Sequence, residues 1–301
     1  MTTQATIQGG RSALRRVTVV VNPAAGGVGP GAAAEAGRIV AGRGLPVDVR
    51  VPGEAGIEAC LRAALADKPD LLALIAGDGT ARTAARLAGS AGVPLAPLPG
   101  GTVNRLPRAL YGDRPWRVAL EAVLTEGRAR PVSGGEIDGE AFFVAAVLGA
   151  PALWAEAREA AREGDVAGVL ARGRRALRRA FAGRLRFSLD GGPRIKAEAL
   201  ALTCPLVSSR LAADADRLEA AAVDPAGALA VFRLGLKVAA GDWRADPAVA
   251  VTTVRGGRAW AAGPIPAILD GEPARLGPVV AFRFRPDVFV ARVPAADGDE
   301  P

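Results

Sequence analysis

Apolar and polar positions alternate along this chain in two different rhythms. Up to about residue 130, short apolar runs take turns with longer segments of helical composition. The strand signals are Arg15–Val21, Pro46–Val51, Leu71–Ile75 and Val93–Leu98. Helices are expected over 31–41, 57–65, 81–88 and 115–126, several with apolar residues gathered on one side. Runs that are apolar throughout predict strands buried on both faces, hence a parallel sheet covered by helices. From about Arg130 strands dominate. They are expected over 130–138, 141–148, 185–189, 195–203, 229–236, 248–254, 267–269, 279–284 and 288–293. Asp138-Gly139, Asp190-Gly191-Gly192, Asp224-Pro225, Asp270-Gly271 and Arg285-Pro286 punctuate them as turns. One long helical stretch, 153–182, interrupts the series.

The expectation is therefore an α/β chain. A three-layer α/β domain over 1–130 is followed by a mainly antiparallel β-sandwich over 131–294 and a polar tail over 295–301. At 301 residues two separate cores are affordable.

In open parallel sheets, ligands bind beyond the carboxyl ends of the strands. Asn22, Asp78 and Asn104 each follow a predicted strand. Two of the turns are rich in glycine: Ala76-Gly77-Asp78-Gly79-Thr80, and Pro99-Gly100-Gly101-Thr102-Val103-Asn104. A strand-to-helix turn leaves the first helical N–H groups unpaired, which makes an anion site. Glycine lets a phosphate approach, Asp78 offers a carboxylate to a phosphate-bound Mg²⁺, and Thr80 offers a hydroxyl and an N-cap. The usual P-loop and the dinucleotide-binding glycine pattern are both missing.

Composition narrows the chemistry. The chain has no histidine, which excludes a Ser-His-Asp triad, a His base and His-ligated zinc. Proton transfer would fall to Asp, Glu, Lys or Tyr. Cys60 and Cys204 are read as two buried thiols. No apolar run reaches the roughly 20 residues needed to span a bilayer, and Met1–Arg16 lacks a signal-like apolar core. A cytoplasmic protein is expected. The net charge of +7 suits anionic lipid, nucleotide or nucleic acid without choosing among them. Stacking aromatics are sparse, so no nucleic-acid partner is expected. The arginines between 158 and 186, with Trp154 and Phe181, could rest on a membrane, or could form a solvated face paired with Glu156, Glu159 and Glu163.

Taken in order, the motifs resemble those of the bacterial diacylglycerol-kinase-like lipid kinases. Asn22-Pro23-Ala24-Ala25-Gly26 is similar to that family's first-strand Asn-Pro-x-x-Gly. Ala76-Gly77-Asp78-Gly79-Thr80 is similar to its Gly-Gly-Asp-Gly-Thr. The segment Pro97–Asn104 is similar to its Pro-x-Gly-Thr-x-Asn-Asp, and Asp270-Gly271-Glu272 to its Asp-Gly-Glu. The resemblance implies ATP and Mg²⁺ as cofactors and a lipid hydroxyl as acceptor, with peripheral membrane contact. It implies nucleotide contacts from Asn22, Ala76, Gly77, Asp78, Gly79, Thr80, Gly101, Thr102, Asn104 and Arg105. It also implies a catalytic role for Asp78 and for Glu272 as the base. The residues alone read Asp270-Gly271-Glu272 as a hairpin turn.

Departures keep two alternatives open. Ala76 replaces a Gly, Arg105 stands where an Asp follows the Asn, Pro52 replaces a Thr, and Ala226 falls where a metal-binding Asp is common. A relative that binds nucleotide or lipid without turnover is one alternative. An NAD kinase, which shares the Gly-Asp-Gly-Thr loop, is the other.

Overall fold

The computed structural model describes residues 14–149, 185–212, 214–226, 230, 233, 234, 237 and 243–294. They divide into two compact units, one of 14–132 with 287–294, the other of the described residues between 133 and 286.

In the first unit the strands are β1 (Val17–Val21), β2 (Val47–Arg50), β3 (Leu71–Ala76) and β4 (Leu95–Pro99), in the order β2-β1-β3-β4, all parallel. Every residue of β1 and β3 is buried. Helices α1 (Ala32–Ala41), α2 (Gly56–Ala66), α3 (Asp78–Ala91), α4 (Arg105–Tyr111) and α5 (Trp116–Glu126) account for the burial. α1 packs on α5, and α2 on α3. Right-handed crossovers from β1 to β2, and then back through β3 to β4, put these pairs on opposite faces. A late strand residue, Ala291, pairs in parallel with Leu95 at the edge of the sheet. Tyr111 Oη donates to the Arg292 carbonyl at 3.1 Å, and Arg292 Nε to the Val123 carbonyl at 3.0 Å, fixing the chain end against α4 and α5.

The second unit is antiparallel. One sheet contains β8 (Leu185–Leu189), β9 (Ile195–Ala197), β13 (Gly256–Trp260) and the first part of β16 (Val279–Val293), in the order β16-β13-β8-β9. The hairpin of β5 (Arg128–Ile137) and β6 (Glu140–Phe142) joins it through β16. The strands of the other sheet are β7 (Ala145–Gly149), β10 (Ala199–Thr203), β11 (Leu218–Val223), β12 (Val249–Val254), β14 (Ile265–Leu269) and β15 (Glu272–Leu276). Their order is β12-β11-β10-β7-β14-β15. Phe142, Phe187, Leu200, Leu218, Ile265 and Phe282 belong to the core of this unit.

Five expectations need correction. The run 195–203 is two strands, β9 and β10, in different sheets. The run 141–148 is two strands, β6 and β7, in different sheets. The break falls at Phe143 and Val144, whose amides are drawn to the Asp270 carboxylate at 2.8 Å each. Between 229 and 236, Ala230, Arg233 and Leu234 are helical; a short apolar run does not reveal its period. Arg285-Pro286 interrupts nothing, because β16 runs through it; the fixed φ of proline suits an extended chain. Cys60 is half-buried, and only Cys204 is fully buried. The helical stretch expected over 153–182, with its arginines, lies outside the described residues.

Candidate functional site

The loops after β1, β3 and β4 meet at the carboxyl edge of the parallel sheet. Their meeting depends on glycine. A Cβ on Gly100 would lie 2.6 Å from the Ala76 nitrogen, and one on Gly101 would lie 2.8 Å from the Gly77 Cα. The packed backbones are tied by Gly100 N–H to the Ala76 carbonyl at 3.0 Å and Gly27 N–H to the Gly100 carbonyl at 2.8 Å. Ala76 itself is buried. It offers this site a carbonyl and no side-chain function.

Helix α3 starts earlier than its composition suggests. Asp78, Gly79 and Thr80 are its first turn, and Gly77 is the N-cap, with no side-chain cap. Thr80 is therefore inside the helix and does not cap it. The first bond of the helix runs from Ala81 N–H to the Gly77 carbonyl. Helical geometry leaves the N–H groups of Asp78, Gly79 and Thr80 without partners inside the helix. All three residues are half-buried, and the groups form a positively polarised helix end. Asn22 Nδ2 reaches Thr80 Oγ1 at 3.5 Å, and Asn22 Oδ1 accepts from Ala24 N–H at 3.2 Å.

Asn104 closes the second turn on itself. In a left-handed conformation (φ 56°), its Oδ1 accepts from Gly101 N–H at 2.7 Å and its Nδ2 donates to the Gly101 carbonyl at 2.8 Å. Both ends of the amide are used within the turn, so Asn104 shapes the loop. Thr102 is exposed at its tip.

Asp78 joins the two turns. Its Oδ1 accepts from the Arg105 N–H at 2.6 Å, which gives α4 the cap that Asn104 does not supply. Burial pushes the Asp78 carboxyl above its usual range, opposed by the N–H groups of Arg105, Leu106 and Asn104 and by the Arg105 charge. The Arg105 side chain is half-buried beside it.

Sequence reasoning missed a cavity of about 260 Å³ against the same loops, with Gly27, Gly101, Asn104, Arg108 and Trp116 in its lining. Arg117 stacks on the Trp116 ring at 4.5 Å and forks onto Glu35 at 2.5 and 2.6 Å. Among the described residues the buried Trp116 Nε1–H has no hydrogen-bond partner. The cluster Arg114-Pro115-Trp116-Arg117 was the available signal.

Asp270 and Glu272 lie in the second unit. Asp270-Gly271 is the turn of the β14–β15 hairpin, with φ of 51° and 95°. The buried Asp270 carboxylate accepts from the N–H groups of Phe143, Val144 and Ala145. The same device recurs in this unit: Asp138 receives the Ala281 N–H, and Asp190 the Gly256 N–H, each from a left-handed Asp-Gly turn. Asp270 is thus a structural anchor. It holds the hairpin from which the exposed Glu272 projects as the first residue of β15.

Among the described residues no group of three Asp, Glu, Cys or His side chains is gathered to hold an ion. Mg²⁺ in phosphoryl-transfer sites commonly takes one or two carboxylates together with the substrate phosphates. Asp78 fits that pattern, with one of its two oxygens already accepting from Arg105. The uncapped start of α3 fits a phosphate.

Residues 16–137 match the diacylglycerol kinase catalytic domain family. No curated protein matches the chain. Solved structures do. One protein of Bacillus anthracis str. Sterne, put forward as a diacylglycerol kinase, has a TM-score of 0.72 at 17% identity, covering 95% of this chain and 99% of its own. A diacylglycerol kinase of the same strain gives 0.66 at 14% identity, again with 95% and 99% covered.

Proposed function

We propose, for a chain that is diacylglycerol-kinase-like in the sequence of residues 16–137 and in its fold, transfer of the γ-phosphoryl group of ATP to a lipid hydroxyl such as that of diacylglycerol. The observation that carries the reading is the convergence of three loops around the uncapped first turn of α3, where Asn22 Nδ2 reaches Thr80 Oγ1 at 3.5 Å. Phosphoryl transfer asks mainly for positioning and charge neutralisation, which such a cradle supplies.

In this reading the N–H groups of Asp78, Gly79 and Thr80 hold phosphate oxygens. Asn22 orients Thr80, while Gly101, Thr102 and Asn104 form the opposite wall. Arg105 adds positive charge. Mg²⁺, when bound with the nucleotide, neutralises phosphate charge, and the Asp78 carboxylate is the group that would meet it. Glu272 accepts the proton of the lipid hydroxyl as its oxygen bonds to the γ-phosphorus and the bond to the ADP oxygen breaks. A carboxylate suits the role in a chain without histidine.

A second reading has a specific basis. Arg105 in place of an acidic residue, with the exposed Ala226, favours a relative that binds nucleotide without turnover. NAD kinase activity is the weaker alternative, since the Asn104 segment and Glu272 argue against it. One experiment separates all three: labelled ATP and Mg²⁺ with detergent-dispersed lipids, and with NAD as a separate acceptor. Label in a lipid is the expected result. Label in NAD alone, or ATP binding without transfer, would overturn it.

A further inference from the structure

The sheet of β9, β8, β13 and β16 in the second unit has one buried face and one open face. The ladder registers assign each residue. Arg186 lies opposite Lys196 and Trp260, Arg258 opposite Ser188 and Ala281, and Trp260 opposite Val279. Directly paired residues of an antiparallel ladder point the same way. Arg186, Lys196, Arg258, Trp260 and Val279 therefore share a face. Phe187, Ala259, Val280 and Phe282 alternate with them and are buried in the core.

The open face is basic. Arg186, Lys196 and Arg258 are exposed, as is Arg194 on the turn before β9, whose guanidinium lies 5.4 Å from the Trp260 ring. Among the described residues none of these four cations has a carboxylate partner. Two acids of this unit, Glu136 and Asp190, are engaged elsewhere. Glu136 is held by Arg283 at 2.6 Å and by Arg285 at 2.6 Å. Asp190 receives the N–H groups of Arg255 and Gly256. Between the cations sit a half-buried tryptophan and Val279, 57% exposed. A core-facing sheet needs neither the charges nor the exposed apolar groups.

We infer that this face is the docking surface of the chain for an anionic bilayer. Unpaired cations on a broad sheet face attract acidic headgroups, and attraction falls off within a Debye length, so the contact must be close. Trp260 and Val279 supply what a headgroup layer takes up and a purely ionic partner does not: an indole with an apolar body and one N–H, and a branched alkyl group. Nucleic acid would use the same cations, but it favours several stacking aromatics, and among the described residues Trp260 is the one aromatic that the ladder registers assign to this face. The inference rests on the lipid-kinase reading for its purpose, since a lipid acceptor resides in a membrane. The surface itself rests on the ladder registers and the charges.

The test uses the full chain and flotation with phosphatidylcholine vesicles, with or without phosphatidylserine. Wild type should float with the acidic vesicles alone and be released by salt. Arg186→Gln with Arg258→Gln should lower partitioning about 25-fold, near fivefold for each charge. Arg62→Gln on α2 serves as the control and should float like wild type. Phosphorylation of detergent-dispersed diacylglycerol should be equal in wild type and the double variant, while phosphorylation of vesicle-borne diacylglycerol falls. Equal flotation of wild type and the double variant overturns the inference. So does failure of wild type to float, or stronger binding to an oligonucleotide than to acidic vesicles. If flotation behaves as expected and no lipid is phosphorylated in either form, the docking surface stands and the kinase reading falls.

Discussion

The Asp78 carboxylate lies 2.6 Å from the backbone nitrogen of Arg105 and so ties the turn after β3 to the helix after β4. A residue that motif reading assigns to metal or phosphate is thus also a helix cap. Asp78→Ala should leave that N–H unpaired and lower stability by about 0.5–2 kcal/mol, read as a fall in the denaturant midpoint. The pH dependence follows from the sign. Burial raises the folded carboxyl above its unfolded value of 3.8, so its contribution is fully present below that value and is lost as pH rises through the raised one. Asp78→Asn removes this titration. A wild-type profile matched by Asp78→Asn across that interval would rule the assignment out.

Gly100→Ala tests the packing of the loops. The new methyl would meet the Ala76 nitrogen at 2.6 Å and the Ile75 carbonyl carbon at 3.0 Å, both rigid backbone atoms of a buried strand. A cost of roughly 1–3 kcal/mol is expected, together with weaker ATP binding as the two turns separate. Gly29→Ala, where open space surrounds the added carbon, is the matched control. Similar melting of the two variants would show that the close approach is not required.

The first half of the fold was legible because its buried strands are uniformly apolar, as in Leu71–Ala76, and its helices intervene at regular intervals. The second half was less so. β11, Leu-Glu-Ala-Ala-Ala-Val, has helix-favouring composition. β13 opens with two glycines, and β15 contains Pro273. These segments are strands because neighbours pair with them, a tertiary cause that local propensity does not carry. At the site, the turns and Asp-Gly hairpins could be read, since glycine and aspartate reveal positive φ. The partners of Asp78 and Asp270 could not, because Arg105 and Phe143 lie 27 and 127 residues away.

Glu272 is expected to serve as the base, and its exposed position on β15 makes the test clean. Glu272→Gln should reduce lipid phosphorylation about 10²–10⁴-fold while ATP affinity and melting temperature hold. Asp270→Asn should behave differently. It weakens the anchor that receives three N–H groups, so it should lower stability as well as turnover. Undiminished turnover in Glu272→Gln would return the segment to a plain hairpin.

Acid stability should depend on Asp246. Its carboxylate takes the Arg233 fork at 2.8 and 3.0 Å and the Ala248 N–H at 2.9 Å. The Arg233 hydrogen bond, then that of Ala248, lowers its carboxyl from 3.8 to about 2. The stability this provides is present above pH 3.8 and is lost as pH falls through about 2. Asp246→Asn should be less stable at neutral pH and lose less on acidification. Parallel acid-unfolding curves for the two proteins would disprove the role.

Arg105 decides between an active kinase and an impaired one. Its bond to Asp78 is made by the backbone N–H, so Arg105→Asp keeps that tie and should fold. The side chain is half-buried at the junction of both turns, and its charge opposes the rise in the Asp78 carboxyl. If the guanidinium is a phosphate ligand, Arg105→Asp removes a charge-assisted bond and places a second carboxylate near Asp78. ATP affinity should then fall by roughly 1.5–3 kcal/mol, about 10- to 150-fold, and Mg²⁺ dependence should steepen as the new carboxylate needs neutralising. If the guanidinium only repels the metal, the same change should raise lipid-kinase turnover and leave ATP affinity alone. We expect the first outcome, because the turn that bears Arg105 is otherwise built for an anion: Asn104 braces it, Gly101 allows its approach to Gly77, and among the described residues no carboxylate but Asp78 is bonded to it. Calorimetric titration of ATP into both proteins, with and without Mg²⁺, distinguishes the two; unchanged affinity with higher turnover would identify a kinase disabled by a single charge.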